Sequence, residues 1–193
     1  LARFCPKRLY RVLKPLIDLL AGIPSIVYGF FGLVVIVPLM QQMTGASGGK
    51  NILTASLMLG IMILPTIISV SESAIRAVPQ SYYEGALALG ATHERSVFFA
   101  VLPAAKSGIL AGVILGIGRA IGEATAVKMV AGNQPIMPTS LLSGVRTLTS
   151  NIVVEMGYAE GLHREALIAT AVVLFVFILI INLSFMALKR RAD

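Results

Sequence analysis

The stretch EGALALGATHERSVFFAVLP, residues Glu84–Pro103, carries the strongest local pattern in the sequence. It lies between two long apolar segments and is too polar to cross a membrane itself. Ser81 and Glu84 have the spacing of a capping box, which begins a helix by satisfying its first free amide groups. Gly90 can take a positive φ and end that helix. The pattern predicts a short helix that begins near Ser81 and ends before Gly90.

The second half of the stretch predicts another short helix. Thr92 can accept a hydrogen bond from an amide in the first turn of that helix. Pro103 marks its end, because a proline ring disfavours the α conformation at the preceding residue, Leu102. Together the two halves predict a helix–turn–helix between the apolar segments.

The overall composition indicates a membrane protein. Of the 193 residues, 56% are hydrophobic and only 13% are charged, and long uncharged runs of this kind are typical of membrane-spanning chains. The net charge of +7 does not indicate nucleic-acid binding here, because the basic residues sit at the ends of apolar segments. Cys5 is the only cysteine in the sequence, which excludes an intrachain disulfide within it.

Four apolar segments are long enough to cross a hydrocarbon core of about 30 Å as helices. We predict a single transmembrane domain over residues 1–193, with a cytoplasmic loop at 76–106 and an extracytoplasmic loop at 133–165. Because Leu1 is not a natural start, we expect earlier spans to be missing from this sequence. The predicted spans lie at about 16–40, 51–75, 107–132 and 166–188.

The distribution of basic residues predicts the orientation of these spans. Of the 16 Lys and Arg residues, 11 fall on the side that carries both termini and the 76–106 loop, and two lie within the third span. Basic residues favour the cytoplasmic side of a membrane, so both termini and the loop are predicted to be cytoplasmic. The opposite side carries the remaining three, Lys50, Arg146 and Arg164.

The third span carries charged residues within an apolar segment. Arg119 and Glu123 are four positions apart, which places them on one face of a continuous helix. An arginine at the centre of a bilayer costs about 2.5–3.5 kcal/mol on insertion scales, so we expect it to face a bundle interior. We interpret the pair as part of an anion pathway; the alternative is a self-neutralising pair that only fixes packing. Small residues that allow close helix approach recur beside the pair at Gly108, Gly112, Gly116, Ala120 and Ala124.

The polar stretch resembles the EAA loop of ABC-importer permeases, the loop that contacts the cytoplasmic ATPase. The family pattern places a glutamate, a second alanine, a glycine and a leucine–proline pair at fixed spacing, and this sequence departs from it at Gly85 and Ala100. The resemblance implies that Glu84, Gly85, Ala86 and Gly90 take part in ATPase coupling. The matching positions are Glu84, Ala86, Gly90, Leu102 and Pro103.

Three further segments narrow this resemblance: PSIVYGFFGL (Pro24–Leu33), GIGRAIGEATAV (Gly116–Val127) and LHREALIATAVVLFV (Leu162–Val176). With the loop, they resemble the permease of the phosphate-specific ABC importer, the PstC type. The resemblance implies an all-α polytopic membrane protein with a MetI-like ABC type-1 transmembrane domain. It also implies that Arg119 and Glu123 lie on the phosphate pathway.

The same resemblance implies an assembly in the cytoplasmic membrane of a prokaryote. Its members are expected to be a second permease subunit of PstA type, a dimer of ATP-binding subunits and an extracytoplasmic phosphate-binding protein. Membrane lipid surrounds the permeases, and no nucleic acid is expected as a partner. ATP and Mg²⁺ are expected on the partner ATPase, with no cofactor bound by this chain.

Motifs for catalysis by the chain itself are missing from the sequence. The segment nearest to a nucleotide-binding P-loop, Gly45–Asn51, lacks the first glycine and the Ser or Thr that coordinates Mg²⁺. No H-E-x-x-H motif occurs, so we predict a transport subunit and no enzyme. The alternatives are a permease for molybdate, tungstate or sulfate, a secondary anion transporter or channel without an ATPase, and a membrane scaffold.

Overall fold

The computed structural model describes residues 1–45 and 48–192, with side chains described as far as Ala187. Two parts of the sequence argument therefore lie outside the described residues: Ala46 and Ser47 of the glycine-rich segment, and the side chains of residues 189–191. The described part is helical apart from its connections and one isolated bridge between Gly132 and Val145. Its helices are α1 (Lys7–Gly22), α2 (Ser25–Thr44), α3 (Ile52–Ala77), α4 (Gln80–Ala88), α5 (His93–Ala104), α6 (Lys106–Gly122), α7 (Thr125–Val130), α8 (Leu148–Glu155) and α9 (Gly161–Ala192).

Three of these helices, α2, α3 and the part of α9 up to Ala187, are long and apolar enough to cross a membrane. The pair α5 and α6 passes the same test together, with a bend of 65° between the two helices. The described residues thus hold three candidate spans, or four if the bent pair counts as one.

The predicted first span, residues 16–40, is wrong in its boundaries because Pro24 divides it. The helix α1 ends at Gly22, and Pro24, with φ −60° and ψ 142°, forms the extended residue before α2. A proline disfavours the α conformation of the residue before it, which favours the end of α1 before Ile23. The result is a separate helix, α1, with basic and apolar faces, followed by a span that begins at Ser25.

Four other prolines lie inside helices of the described residues, and the turn before two of them, Pro38 and Pro103, is widened. Leu102 is helical, with φ −65° and ψ −44°, and its amide donates to the Val97 carbonyl five residues earlier. The amide of Val37, before Pro38, donates to the Gly32 carbonyl in the same way. A proline ring clashes with the carbonyl four residues earlier in a regular α-helix, and a π-type turn relieves that clash.

The helix therefore continues one residue beyond the predicted stop at Pro103. The helix α5 continues to Ala104, and the bend occurs at Ala105 before α6 begins. Ala105 is buried in a small apolar cluster with Val78 and Val101, so the bend is held by packing as well as by the proline.

The chain divides into two compact units. The first contains Leu1–Gly22, Leu64–Ile117 and Asn182–Asp193, and the second contains Ile23–Ile63 and Gly118–Ile181. In the first unit, α6 packs on α3 at Gly108, where an added Cβ would lie 2.5 Å from the Cβ of Ala74. The small residues near the start of α6 therefore do allow close helix packing, as the sequence predicts.

The second unit is built around contacts between α2, α3 and α7. Its core includes Tyr28, Met58, Met62 and Val130. A close approach of two helices occurs at Gly29 in α2, where an added Cβ would lie 2.9 Å from the Cα of Ala126 in α7. The glycine of the PSIVYGFFGL segment thus allows two helix backbones to touch.

We expect Gly29→Ala to destabilise the protein by about 1–3 kcal/mol, because the added methyl group overlaps the Ala126 backbone. Gly60→Ala is the matched control: no described atom lies within 4 Å of its added carbon, and alanine favours a helix interior over glycine. Thermal unfolding of the detergent-solubilised protein compares the two variants. A Gly29→Ala protein that melts at the wild-type temperature would contradict this packing.

Candidate functional site

The residues that match the coupling pattern lie on α4 and the turn that follows it. Glu84 is exposed in the middle of α4. The predicted capping box of Ser81 and Glu84 is wrong, because α4 already begins at Gln80, after Pro79, and no side chain caps it. Pro79 has an extended conformation that sets the entry to the helix. The Glu84 carboxylate is accordingly directed to solvent, with no capping role at the start of α4.

The end of α4 follows the prediction. Gly90 has φ +83°, its amide donates to the Leu87 carbonyl at 2.8 Å, and the Ala91 amide donates to the Ala86 carbonyl at 3.1 Å. These two bonds form a Schellman motif, which closes a helix through a left-handed residue. Gly90 therefore fixes the angle at which the chain leaves α4.

The start of α5 also follows the prediction. The Thr92 hydroxyl accepts a hydrogen bond from the Arg95 amide at 3.4 Å. A second contact joins the two short helices, since the Tyr83 hydroxyl lies 2.8 Å from Nδ1 of His93. The turn between α4 and α5 is thus held by a cap, a left-handed glycine and a side-chain hydrogen bond.

The same loop exposes apolar side chains that the sequence argument did not single out. Leu89 is 90% exposed and Phe99 is 76% exposed, with Phe98 also largely exposed. Large apolar side chains on an exposed loop are typical of a protein–protein contact. Their position within an otherwise polar stretch was the signal that could have identified them.

The predicted pathway residues lie in the second unit, whereas the coupling residues lie in the first. Arg119 is on the last turn of α6 and is partly buried. The prediction of one continuous helix over 107–132 is wrong, because α6 ends at Gly122 and α7 begins only at Thr125. Glu123 therefore follows the end of the helix and is not one turn further along it.

Glu123 organises this break in the helix. Its amide donates to the Ala120 carbonyl at 3.2 Å, which tightens the last turn of α6. Its carboxylate accepts a hydrogen bond from the Ala126 amide at 3.0 Å, and the Thr149 hydroxyl donates to its carbonyl at 3.2 Å. A carboxylate at the start of a helix satisfies a free amide and interacts favourably with the helix dipole. Glu123 thus caps α7 beside Arg119.

Tyr28 is a further residue of this region that the sequence argument missed. Its side chain is 6% exposed, in the core of the second unit. The signal was present in the sequence, because a tyrosine is unusual within an otherwise apolar span. Tyr28 thus places a polar ring in the core of the unit that also contains Arg119.

A polar network in the 133–165 loop supports the segment that follows α7. The Arg146 guanidinium donates to the Asn133 carbonyl at 3.1 Å and to the Glu155 carboxylate at 2.6 Å. Hydrogen bonds from Tyr158 and Arg146 hold the pKa of the Glu155 carboxyl below its usual value. Glu155 therefore stays ionised at neutral pH and keeps its ion pair with Arg146.

Comparison with known proteins identifies the family. Residues 1–193 match the family described as "Binding-protein-dependent transport system inner membrane component". The chain belongs to this family. It is 40% identical over 185 residues to the probable ABC transporter permease protein YqgH of Bacillus subtilis, with 94% of this chain covered.

Other relatives of this permease chain carry a more specific description. It is 37% identical to the phosphate transport system permease protein PstC of Pasteurella multocida and 36% identical to that of Haemophilus influenzae, over 91% of this chain in each case. The chain spans 60% of the length of the Bacillus protein and 61% and 62% of the other two.

A solved structure has the same fold. The inward-facing MetNI methionine ABC transporter matches with a TM-score of 0.70 and 21% identity, over 98% of this chain and 78% of the other. The predicted all-α, MetI-like fold is thereby confirmed.

We expect Glu123→Ala to destabilise the start of α7 by about 1 kcal/mol, because it removes the oxygen that accepts from the Ala126 amide. Glu123→Gln keeps an acceptor oxygen and is expected to lose much less. Hydrogen exchange at the Ala126 amide, together with thermal unfolding, measures the effect. Equal losses in the two variants would show that the charge of Glu123, and not its cap, stabilises this segment.

Proposed function

We propose that the protein is the permease subunit of an ATP-driven importer that carries inorganic phosphate across the cytoplasmic membrane of a prokaryote. The observation that carries the proposal is the similarity to PstC proteins over 91% of the chain. The position of Arg119 in a partly buried break between two helices is consistent with it. The charge count supports a cytoplasmic location for both termini and for the loop around Glu84.

The proposed importer needs partners for energy, for delivery of phosphate and for completing the pathway. These are a dimer of ATP-binding subunits that hold ATP and Mg²⁺, an extracytoplasmic phosphate-binding protein and a second permease subunit of PstA type. The family description supports the binding protein, because it names binding-protein-dependent transport. Similarity to PstC proteins supports the choice of the second permease.

Arg119 is proposed to attract and orient the anion. An arginine guanidinium presents paired donors that fit two phosphate oxygens at once, and a partly buried site strengthens that attraction over bulk water. Glu123 is proposed to support the pathway mainly as a structural residue. Its carboxylate caps α7 and so stabilises the helix break beside Arg119. Its negative charge would also make the path less favourable for a fully deprotonated anion.

We expect Arg119→Gln to lower phosphate uptake about tenfold or more, which is the usual effect of removing a hydrogen bond to a charged group. Arg119→Lys keeps the charge but not the paired donors, and should retain part of the activity. The measurement is ATP-dependent uptake of labelled phosphate by proteoliposomes of the full-length assembly.

Arg164→Gln serves as the control, because Arg164 is an exposed cation at the start of α9. Normal uptake by Arg119→Gln would remove this residue from the pathway. Sulfate, molybdate and tungstate are added as competitors in the same assay. Strong competition by one of them would assign the permease to that oxyanion, and uptake without ATP would assign it to a secondary transporter.

The loop around Glu84 is proposed to transmit movement from the ATPase to the membrane helices. Glu84, Gly85 and Ala86 lie on α4, and Gly90 closes that helix with a left-handed turn. The exposed side chains of Leu89 and Phe99 add an apolar surface for the same contact. A partner that holds this surface can displace α4 and α5 as a unit, because the Tyr83–His93 hydrogen bond joins them.

We expect Gly90→Ala to reduce ATP-driven uptake, because the left-handed conformation costs a non-glycine residue about 1–2 kcal/mol. Gly60→Ala is the control: neither Gly60 nor Gly90 has a described atom within 4 Å of an added Cβ, but only Gly90 has a positive φ. The amount of permease in the membrane is measured beside uptake. If both variants transport normally at equal abundance, the geometry of this turn has no role in coupling.

A further inference from the structure

A cavity of about 640 Å³ lies beside the first half of α1, and five cationic side chains line it: Arg3, Lys7, Arg11, Lys14 and Arg76. All of its lining residues belong to the first unit. Arg119, Glu123 and the coupling residues of α4 do not line it. Lys7, Arg11 and Lys14 follow one another at spacings of four and three, which puts them on one face of the helix.

The other face of α1 is apolar and exposed. Val12 is 58% exposed, Leu16 52% and Leu19 65%, and α1 has no buried residue among its 16. A helix with a basic face and an exposed apolar face is typical of segments that lie in the interface of a membrane. The helix α1 is therefore suited to lie at the membrane interface, with its basic face toward the cavity.

Two of the five cations are already neutralised by carboxylates. Lys14 lies 2.8 Å from Asp18 and 3.5 Å from Glu72, and Arg76 lies 2.8 Å from Glu72. Glu72 is 4% exposed, so these pairs form a fixed wall of the cavity that joins α1 to α3. They leave the charge of the remaining three cations uncompensated.

Those three cations are Arg3, Lys7 and Arg11. Within the described part of the chain, Lys7 and Arg11 form no ion pair, and the buried Nε of Arg3 has no hydrogen-bond partner. The acids that face this cluster are the two already paired, Asp18 and Glu72. The cavity thus presents uncompensated positive charge and an unsatisfied buried donor.

We propose that this cavity binds the phosphate group of an anionic phospholipid headgroup. The cations supply charge complementarity to a phosphodiester, and the guanidinium groups fit phosphate oxygens. A lipid is favoured over free phosphate because the exposed apolar face of α1 is suited to the membrane interface, where lipid headgroups are concentrated. This site lies outside the proposed transport pathway.

Binding of a lipid phosphate at this site would also restrict the motion of the loop around Glu84. Arg3 donates through Nη1 to the Gln80 side chain at 3.2 Å, and its guanidinium lies 5.8 Å from the ring of Tyr83. Both partners are on α4. A lipid phosphate that binds Arg3 would therefore restrict the first turns of the helix that carries Glu84.

The experiment uses Cys5, which lines the cavity, as a reporter in the full-length permease. The protein is placed in nanodiscs of phosphatidylcholine with increasing fractions of phosphatidylglycerol. The rate at which a maleimide modifies Cys5 is followed by mass spectrometry of its peptide. Rates are compared within each variant, since a change of nearby charge alters the basal reactivity of the thiol.

Phosphatidylglycerol is expected to slow the modification of Cys5 in the wild-type protein. Lys7→Gln and Arg11→Gln should each raise the fraction needed for half-protection about fivefold, the usual effect of one basic residue at an anionic membrane surface. Arg8→Gln is the matched control, because it removes the same charge from α1 at a position that does not line the cavity. It should leave half-protection unchanged, and Lys7→Arg should preserve it.

Three results would overturn the proposal. Absence of protection by phosphatidylglycerol would show that no such lipid occupies the cavity. An Arg8→Gln shift as large as that of Arg11→Gln would show general surface attraction in place of a site. Protection by inorganic phosphate in discs of pure phosphatidylcholine would show that the cavity takes the free anion. None of these results depends on phosphate transport, so they do not test the proposed function, which the uptake assay tests independently.

Discussion

The structure depends on one constraint: backbone amide and carbonyl groups must find partners inside helices that lie in an apolar environment. Several interruptions of helices in the described residues meet that requirement locally. Widened turns precede Pro38 and Pro103, and two hydrogen bonds close α4 at Gly90. At the most important interruption, the Glu123 carboxylate accepts from the Ala126 amide. The break beside Arg119 is therefore built with its backbone groups satisfied.

This requirement links fold and function in the two units. In the first, the Gly90 turn and the Thr92 cap present an exposed loop with the polar Glu84 and the apolar Leu89 and Phe99. In the second, the close contact at Gly29 holds α2 against α7, with Tyr28 in the core beside it. The chain belongs to the family of binding-protein-dependent transport components, and the solved permease structure shares its fold.

Local patterns predicted the structure well where a residue acts through its own backbone. The positive φ of Gly90 and the cap by Thr92 are confirmed, because each depends on neighbours within a few residues. Predictions failed where two local rules compete. Ser81 fits a capping box, but Pro79 sets the start of α4 first. Pro103 fits a helix stop, but a widened turn lets the helix pass through it. The prediction of a continuous third span was wrong because Glu123, expected to lie within that helix, caps α7 instead.

The sequence by itself determined the class of the protein and its apolar segments, and singled out the charged residues Arg119 and Glu123, through composition, spacing and hydropathy. The coupling residues were predicted from the resemblance to a known family. Only the tertiary structure decided where α1 ends, that Glu123 caps α7, that Gly29 touches Ala126, and that cations from α1 and α3 surround one cavity. Each of these depends on residues far apart in sequence or on a choice between competing hydrogen bonds. Packing makes that choice, because a buried backbone group without a partner costs more than a local preference can supply.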